Sequence, residues 1–188
     1  MTALPKARIS EQDYLAGERD GQVRHEYIDG EVHAMVGASD RHGLIVSALV
    51  YALKPHARRN ACQLFSSDMK LKLNLSGKIV FYYPDLVLAC DADDNDPYYR
   101  TAPKLVIEVL SESTERIDRR EKLLSYIRID SLVEYVIVEQ VRRSVEIYRR
   151  RNDWLPDTVE ETGEVQLGSL DCTLTLDDIY ADLALLGA

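Results

Sequence analysis

The sequence predicts a single α/β domain with one main mixed β-sheet flanked by helices, and three observations predict it. Segments of helical periodicity alternate with short apolar, β-branched segments in the order helix, strands, helix, strands. Asp29-Gly30, between two strand-like runs, is a two-residue hairpin turn, and hairpins among otherwise connected strands imply a mixed sheet. A length of 188 residues, 46% hydrophobic and 29% charged, suits one globular unit with a sizeable core.

The elements follow in order. "ISEQDYLAGE" reads as a short helix with Ser10 as N-cap and Asp13 three residues on. "RHEYIDGEVHAMVG" is the hairpin. A longer helix follows in "SDRHGLIVSALVYALKPHARR", where Ile45, Val46, Leu49, Val50 and Leu53 recur at helical spacing. Three strands are expected next, in "QLFSSDMKLKLN", "KIVFYYPDLVLACD" and "PKLVIEVLS", separated by polar pieces such as "LSGK" and "DADDNDPYYR". "STERIDRREKLLSYIRI" is an amphipathic helix with Ile117, Leu124 and Ile127 among its apolar positions. "VEYVIVEQVRRSVEIYRR" reads as two strands around a turn near Gln140, and the end offers a strand near "CTLTL" and a short helix, "LDDIYADLALL". The chain thus divides into an N-terminal helix and hairpin at 8–37, a core at 38–150 and an acidic C-terminal segment at 151–188.

Composition excludes several classes. No apolar run approaches the roughly 20 residues needed to cross a bilayer, so no membrane association is expected. "MTALPKARIS" lacks the apolar core of a signal peptide. Cys62, Cys90 and Cys172 are odd in number and far apart, which reads as three reduced, unligated thiols in a cytoplasmic protein. The four histidines form no paired-ligand spacing. Net charge is −9, but nine of the 32 acidic residues fall between Asn152 and Ala188, where there is no Lys or Arg. The remainder carries 23 residues of each sign, and Arg116 to Arg151 holds ten basic against six acidic. That stretch is either a patch that steers a polyanion or a set of solvated faces.

Two acids stand where acids should not. Glu108 interrupts the apolar run Leu105, Val106, Ile107, Val109, Leu110, on what should be a buried strand. Burying an unpaired carboxylate costs several kcal/mol, so such a residue is paired, protonated or metal-bound. Asp85 begins the preceding apolar strand, directly after Pro84. If the two strands pair, both carboxylates converge at one sheet edge. With the Val109 backbone carbonyl they make a hard-oxygen site suited to Mg²⁺ or Mn²⁺. The ordinary readings are a turn residue for Asp85 and a salt bridge to a buried Arg or Lys for Glu108.

"HEYIDGEVHAM", "SDRHG", "PDLVLACD" with "KLVIEVLSEST", and "DRREKLLSYIRIDSLVEYVIV" occur in an order that resembles the Uma-type restriction-endonuclease family, within the PD-(D/E)XK nuclease superfamily. The resemblance runs from about Tyr14 to Arg150. It implies a restriction-endonuclease-like fold, with Asp85 and Glu108 holding a metal and Glu31 and His42 near the site. The chain departs from the superfamily pattern at Leu110, which stands where a lysine orients the attacking water. Lys122 in "DRREK" matches the Uma-type pattern for a replacement. Glu112 stands where that family often has proline.

Each candidate also has an ordinary reading. Lys122 is four residues after Asp118, the spacing of an exposed helix ion pair contributing about 0.3–0.5 kcal/mol. Lys70 and Lys72 are rival lysines, and Asp68 is either a further ligand or an edge-strand charge. Glu31 follows a turn, His42 lies near a helix start, and Tyr82 and Tyr83 suit packing or base stacking. The expected function is metal-dependent hydrolysis of DNA phosphodiester bonds, by a homodimer if both strands are cut. The alternatives are a non-catalytic nucleic-acid-binding or regulatory module of the same fold, or an interaction domain whose acidic segment meets a basic partner.

Overall fold

The computed structural model describes residues 8–111 and 117–186. Helix α1 (Glu11–Asp20) opens where the Ser10 hydroxyl accepts the Asp13 amide at 3.1 Å. In the hairpin β1 (His25–Ile28) and β2 (Glu31–Ala34), Asp29 and Gly30 have φ of 48° and 95°, the positive pair that a tight primed turn requires. Helix α2 (Asp40–Arg59) is capped by Ser39 and buries Ile45, Leu49, Leu53 and Ala57 along one stripe.

Two of the three expected central strands are each two strands. Residues 63–75 divide into β3 (Gln63–Ser66) and β4 (Lys70–Leu75), and residues 78–89 into β5 (Lys78–Tyr82) and β6 (Leu86–Ala89). Ser67 at φ 60° breaks the first, and Pro84, which has no N–H for a ladder, breaks the second. At both breaks the chain changes sheets. The remaining strands are β7 (Tyr99–Arg100), β8 (Pro103–Val109), β9 (Glu134–Val138), β10 (Ser144–Arg149), β11 (Pro156–Glu160), β12 (Glu164–Leu167) and β13 (Cys172–Thr175). In place of one main sheet there is a five-stranded sheet β2-β1-β5-β4-β7, a six-stranded sheet β11-β10-β9-β8-β6-β3 and the hairpin β12-β13. Both larger sheets are mixed, with parallel pairs β4-β7 and β8-β9.

The six-stranded sheet is covered on both faces, which is why its strands read as continuous apolar runs. Leu105, Ile107, Val109, Val136 and Val138 pack toward α2. Val106, Leu110, Tyr135 and Ile137 face Leu71, Leu73, Val80 and Tyr82 of the smaller sheet. Helix α1 closes the far side through Tyr14 on Tyr27 and Phe81. Of the helix expected in "STERIDRREKLLSYIRI", residues 112–116, including Glu112, lie outside the described residues. The rest is a π-helical turn (Ile117–Lys122) running into α3 (Leu123–Tyr126).

The acidic segment folds back on the chain. Its β11 is an edge strand with mostly exposed side chains, so it carried no hydrophobic alternation to find. Val165, Leu167, Leu174 and the residues Leu176, Ile179 and Tyr180 of α4 (Leu176–Tyr180) join the core under α2. Asp157, Glu160 and Asp177 pair with Arg149, Arg142 and Arg143. Much of the expected basic stretch is therefore neutralised internally.

The expectation of three reduced thiols is corrected. Cys62 and Cys90 form a disulfide, and only Cys172, which is buried, is free. Although 28 residues apart, they flank antiparallel neighbours with register Gln63↔Ala89, which sets them directly opposite. Sequence distance hid that proximity. Among the described residues no helix is long and apolar enough to cross a membrane.

Candidate active site

Strands β6 and β8 are antiparallel neighbours with Leu86 opposite Ile107, and one more step sets Asp85 beside Glu108. The Asp85 carboxylate accepts the Val109 amide at 2.7 Å. His42 Nε2, delivered by the first turn of α2, lies 3.2 Å from both Asp85 oxygens. A carboxylate only accepts, so that ring nitrogen carries the proton. The Asp85 amide in turn points at Glu108 Oε2, at 3.4 Å.

The expected lysine arrives from the other side. Asp118, Lys122 and Tyr126 recur at intervals of four along the π-helical turn and α3, and all three are buried. The Lys122 ammonium lies 3.1 Å from each of Glu108, Asp118 and Glu26. Its pairing with Asp118 is thus not an exposed helix pair but part of a buried cluster, with Lys122 only 5% exposed. Glu108 Oε1 also accepts the Tyr126 hydroxyl at 2.9 Å. Leu110 packs into the adjoining apolar cluster with Tyr126 and Tyr135.

Glu26 was not singled out in the sequence. It shares a face of β1 with Ile28, whose side chain meets the inner core, and that alternation marks it as inward-facing. Glu31 instead stands exposed at the start of β2 and does not line the cavity that the carboxylates face. Lys70 is buried against the Tyr83 hydroxyl in the other sheet, Lys72 pairs with Glu11 at 2.6 Å, and Asp68 is an exposed partner of Arg24. Tyr82 packs edge-on to Tyr126, and the Tyr83 hydroxyl donates to Glu18.

One ammonium among three carboxylates leaves an acid surplus. Burial, reinforced by Asp118, Asp85 and Glu26 and opposed by Lys122, holds the Glu108 carboxyl well above the usual carboxylate range. Burial works against the charge of Lys122, but Glu108, Glu26 and Asp118 outweigh it and raise its pKa. The two shifts agree because charge is stabilised on Lys122 and penalised on Glu108. Burial likewise opposes the His42 imidazolium, yet the hydrogen bond and charge of Asp85, with a backbone hydrogen bond at Val109, raise its pKa overall.

The cluster forms one wall of a cavity of about 730 Å³. Glu26, Asp85, Glu108, Asp118 and Lys122 line that wall, and Met35, Val36, Val46 and Val50 line part of the remainder. The donors suit a hard cation: two carboxylates on adjacent strand positions and further acids lacking enough positive charge. Among the described residues Asp118 Oδ1 is buried without a hydrogen-bond partner, 3.1 Å from the Lys122 ammonium. Among the described residues no group of three or more His, Cys, Asp or Glu side chains is arranged to hold a metal ion by itself. The two carboxylates Asp85 and Glu108 are as many as Mg²⁺ takes where waters and substrate phosphate complete its shell.

The family described as "Putative restriction endonuclease", Uma2, matches residues 11–177. The uncharacterized protein slr1290 of Synechocystis sp. is 31% identical over 185 residues, 97% of this chain and 96% of that protein. A second uncharacterized Synechocystis protein, sll1609, is 29% identical over 164 residues, 84% of this chain and 92% of its own. The crystal structure of a putative nuclease belonging to DUF820 from Anabaena variabilis superposes with a TM-score of 0.73 at 15% identity, covering 92% of this chain and 98% of that one. That likeness shows a shared mixed α/β fold. With the family match across most of its length and a relative of 31% identity along nearly all of it, this chain belongs to the Uma2 restriction-endonuclease family.

Proposed function

We propose that this protein is a metal-dependent nuclease hydrolysing DNA phosphodiester bonds, with Asp85 and Glu108, assisted by the Val109 carbonyl, holding Mg²⁺ or Mn²⁺. The observation that carries the reading is the buried acid surplus around Lys122, opening to a cavity. A surplus of that kind is costly in an isolated fold, and a divalent cation relieves it. The Uma2 family membership supports the same chemistry. Bound there, the cation would polarise the scissile phosphate and lower the pKa of a bound water.

The chain's own residues do the rest. The Val109 amide and His42 fix the Asp85 carboxylate from two sides. Lys122 takes the part of the lysine missing at Leu110, because its ammonium already lies against Glu108 and can offset negative charge developing on the phosphate. Lys70 and Lys72 do not reach that carboxylate; their contacts are Tyr83 and Glu11. The test is cleavage of duplex and single-stranded DNA with Mg²⁺, Mn²⁺ or EDTA, comparing wild type with Asp85→Asn and Glu108→Gln. Cation-dependent cleavage lost in both variants supports the reading, and cleavage unchanged in EDTA defeats it. Sedimentation of the same samples reports whether duplex cutting is the work of a dimer.

One observation favours the regulatory module of the same fold. Arg142, Arg143 and Arg149, within the basic stretch expected to meet DNA, are engaged with acidic side chains of the same chain. A protein that neither binds Mn²⁺, nor cuts, nor binds DNA would be that module.

A further inference from the structure

The two oxygens of Glu108 are not equivalent. Oε1 accepts the Tyr126 hydroxyl at 2.9 Å and lies 3.1 Å from the Lys122 ammonium. Among the described residues Oε2 has only the long 3.4 Å approach of the Asp85 amide. Tyr126 is fully buried, its ring edge-on to Tyr82 at 5.6 Å and to Tyr135 at 5.1 Å. Those neighbours are pinned in turn, Tyr135 by donating to the Asp118 backbone carbonyl and Tyr82 by its hydroxyl contact with Ser125. Lys122 is a flexible stem shared among three acids, whereas Tyr126 is a locked ring with one acceptor.

We propose that Tyr126 is a positioning residue that sets which cation the site accepts, by reserving Glu108 Oε1 and leaving Oε2 alone for the metal. The proposal rests on the metal-site reading above. A carboxylate held to one oxygen suits Mg²⁺, which demands near-octahedral geometry and takes carboxylates singly. It handicaps Ca²⁺, which fills six to eight positions and favours bidentate carboxylates. Cation selectivity is therefore built behind the site, in the tyrosine stack.

The experiment measures Mg²⁺ and Ca²⁺ affinity by competition against Mn²⁺, read by electron paramagnetic resonance without DNA. It compares wild type, Tyr126→Phe and Tyr82→Phe, the last losing a buried hydroxyl in the same stack without touching Glu108. Melting in EDTA checks that each variant is folded. The expected result is a Mg²⁺ over Ca²⁺ preference that narrows about tenfold in Tyr126→Phe, the scale of one hydrogen bond to a charged group, and holds in Tyr82→Phe. An unchanged ratio in Tyr126→Phe, or an equal change in both variants, overturns the role of Tyr126 alone. Wild-type protein that binds none of the cations overturns both this proposal and the metal site. Infrared difference spectra of the wild type with Mg²⁺ give a check that does not depend on Tyr126→Phe. Their carboxylate splitting should be monodentate, and a bidentate signature overturns the proposal.

Discussion

Glu108 and Glu134 are two buried glutamates on neighbouring parallel strands, three register positions apart and on opposite faces of one sheet. Glu134 accepts the Arg149 guanidinium at 3.3 Å and the amides of Gly168 and Ser169 at 3.1 and 2.9 Å. Arg149 is itself completed by Asp157 and the Gln166 carbonyl. Its buried part is balanced, one arginine against one glutamate with Asp157 59% exposed, and it ties the loop before β13 to the sheet. Glu108 has one lysine, and shares it with two other acids. Burial alone therefore does not mark a site. An excess of one charge around a buried group, next to a cavity, does.

Removing the cation from each knot should give the largest effect and the clearest contrast. Lys122→Met and Arg149→Met each leave buried carboxylates without their partner, and each should lose about 3–5 kcal/mol of stability in EDTA. Adding Mn²⁺ should restore part of the loss in Lys122→Met only, by about 2.7 kcal/mol at a hundred times the dissociation constant. Urea unfolding with and without Mn²⁺ measures both. Equal rescue of the two variants, or none in either, erases the distinction between the knots.

Neutralising the acids themselves should separate the knots further. Glu134→Gln puts an amide N–H₂ where backbone amides donate, and should lose about 1–3 kcal/mol. Glu108→Gln relieves the surplus and should be as stable as wild type or more so, while losing Mn²⁺ binding. Equal destabilisation of the two would mean that Glu108 is an ordinary structural ion pair.

The sequence carried the fold class, the hairpin, α1, α2, the β9-β10 pair and the neighbouring placement of Asp85 and Glu108. Each rests on local chemistry, such as the Asp29-Gly30 turn or the stripe from Ile45 to Leu53. What it hid was non-local. The breaks at Ser67 and Pro84 send a chain that reads as continuous strand into a second sheet. Glu108 and Glu134 look alike in "LVIEVL" and "LVEYVI", since nothing local says that Arg149 balances one while Glu26 and Asp118 overload the other. Edge strand β11 and the Cys62–Cys90 pairing likewise depend on which strands meet.

The contrast also has a pH signature. Folding raises the Glu108 pKa above 4.5, so the folded state holds that proton more tightly than the unfolded chain. The sign follows: its ionisation weakens the metal-free fold as pH rises from 4.5 through the raised value, and the loss is absent below 4.5. Lys122, raised above 10.5, contributes fully below that value and loses its contribution only as pH climbs through its folded pKa. The stability of wild type relative to Glu108→Gln should therefore rise on acidification, by at most about 1.4 kcal/mol per pH unit. Urea unfolding in EDTA at stepped pH tests this, and a flat difference between the two proteins contradicts it.

The smallest effect should come from an acid outside both knots. Asp68 was a candidate ligand in the sequence because it lies beside Lys70. Its side chain is 76% exposed and meets Arg24, itself 40% exposed, at 3.2 Å. Water and salt screen such a pair, and ordering two side chains offsets most of the attraction, leaving about 0–1 kcal/mol. Asp68→Asn should thus change stability by less than about 1 kcal/mol, less still in high salt. Mn²⁺ affinity should not change, since Asp68 does not line the cavity whose wall Glu26, Asp85, Glu108 and Asp118 form, and its side chain turns to Arg24 instead. A weakened Mn²⁺ affinity in this variant would place the cation nearer β4 than the acid surplus does. The contrast between a balanced and an overloaded knot would then no longer locate the site.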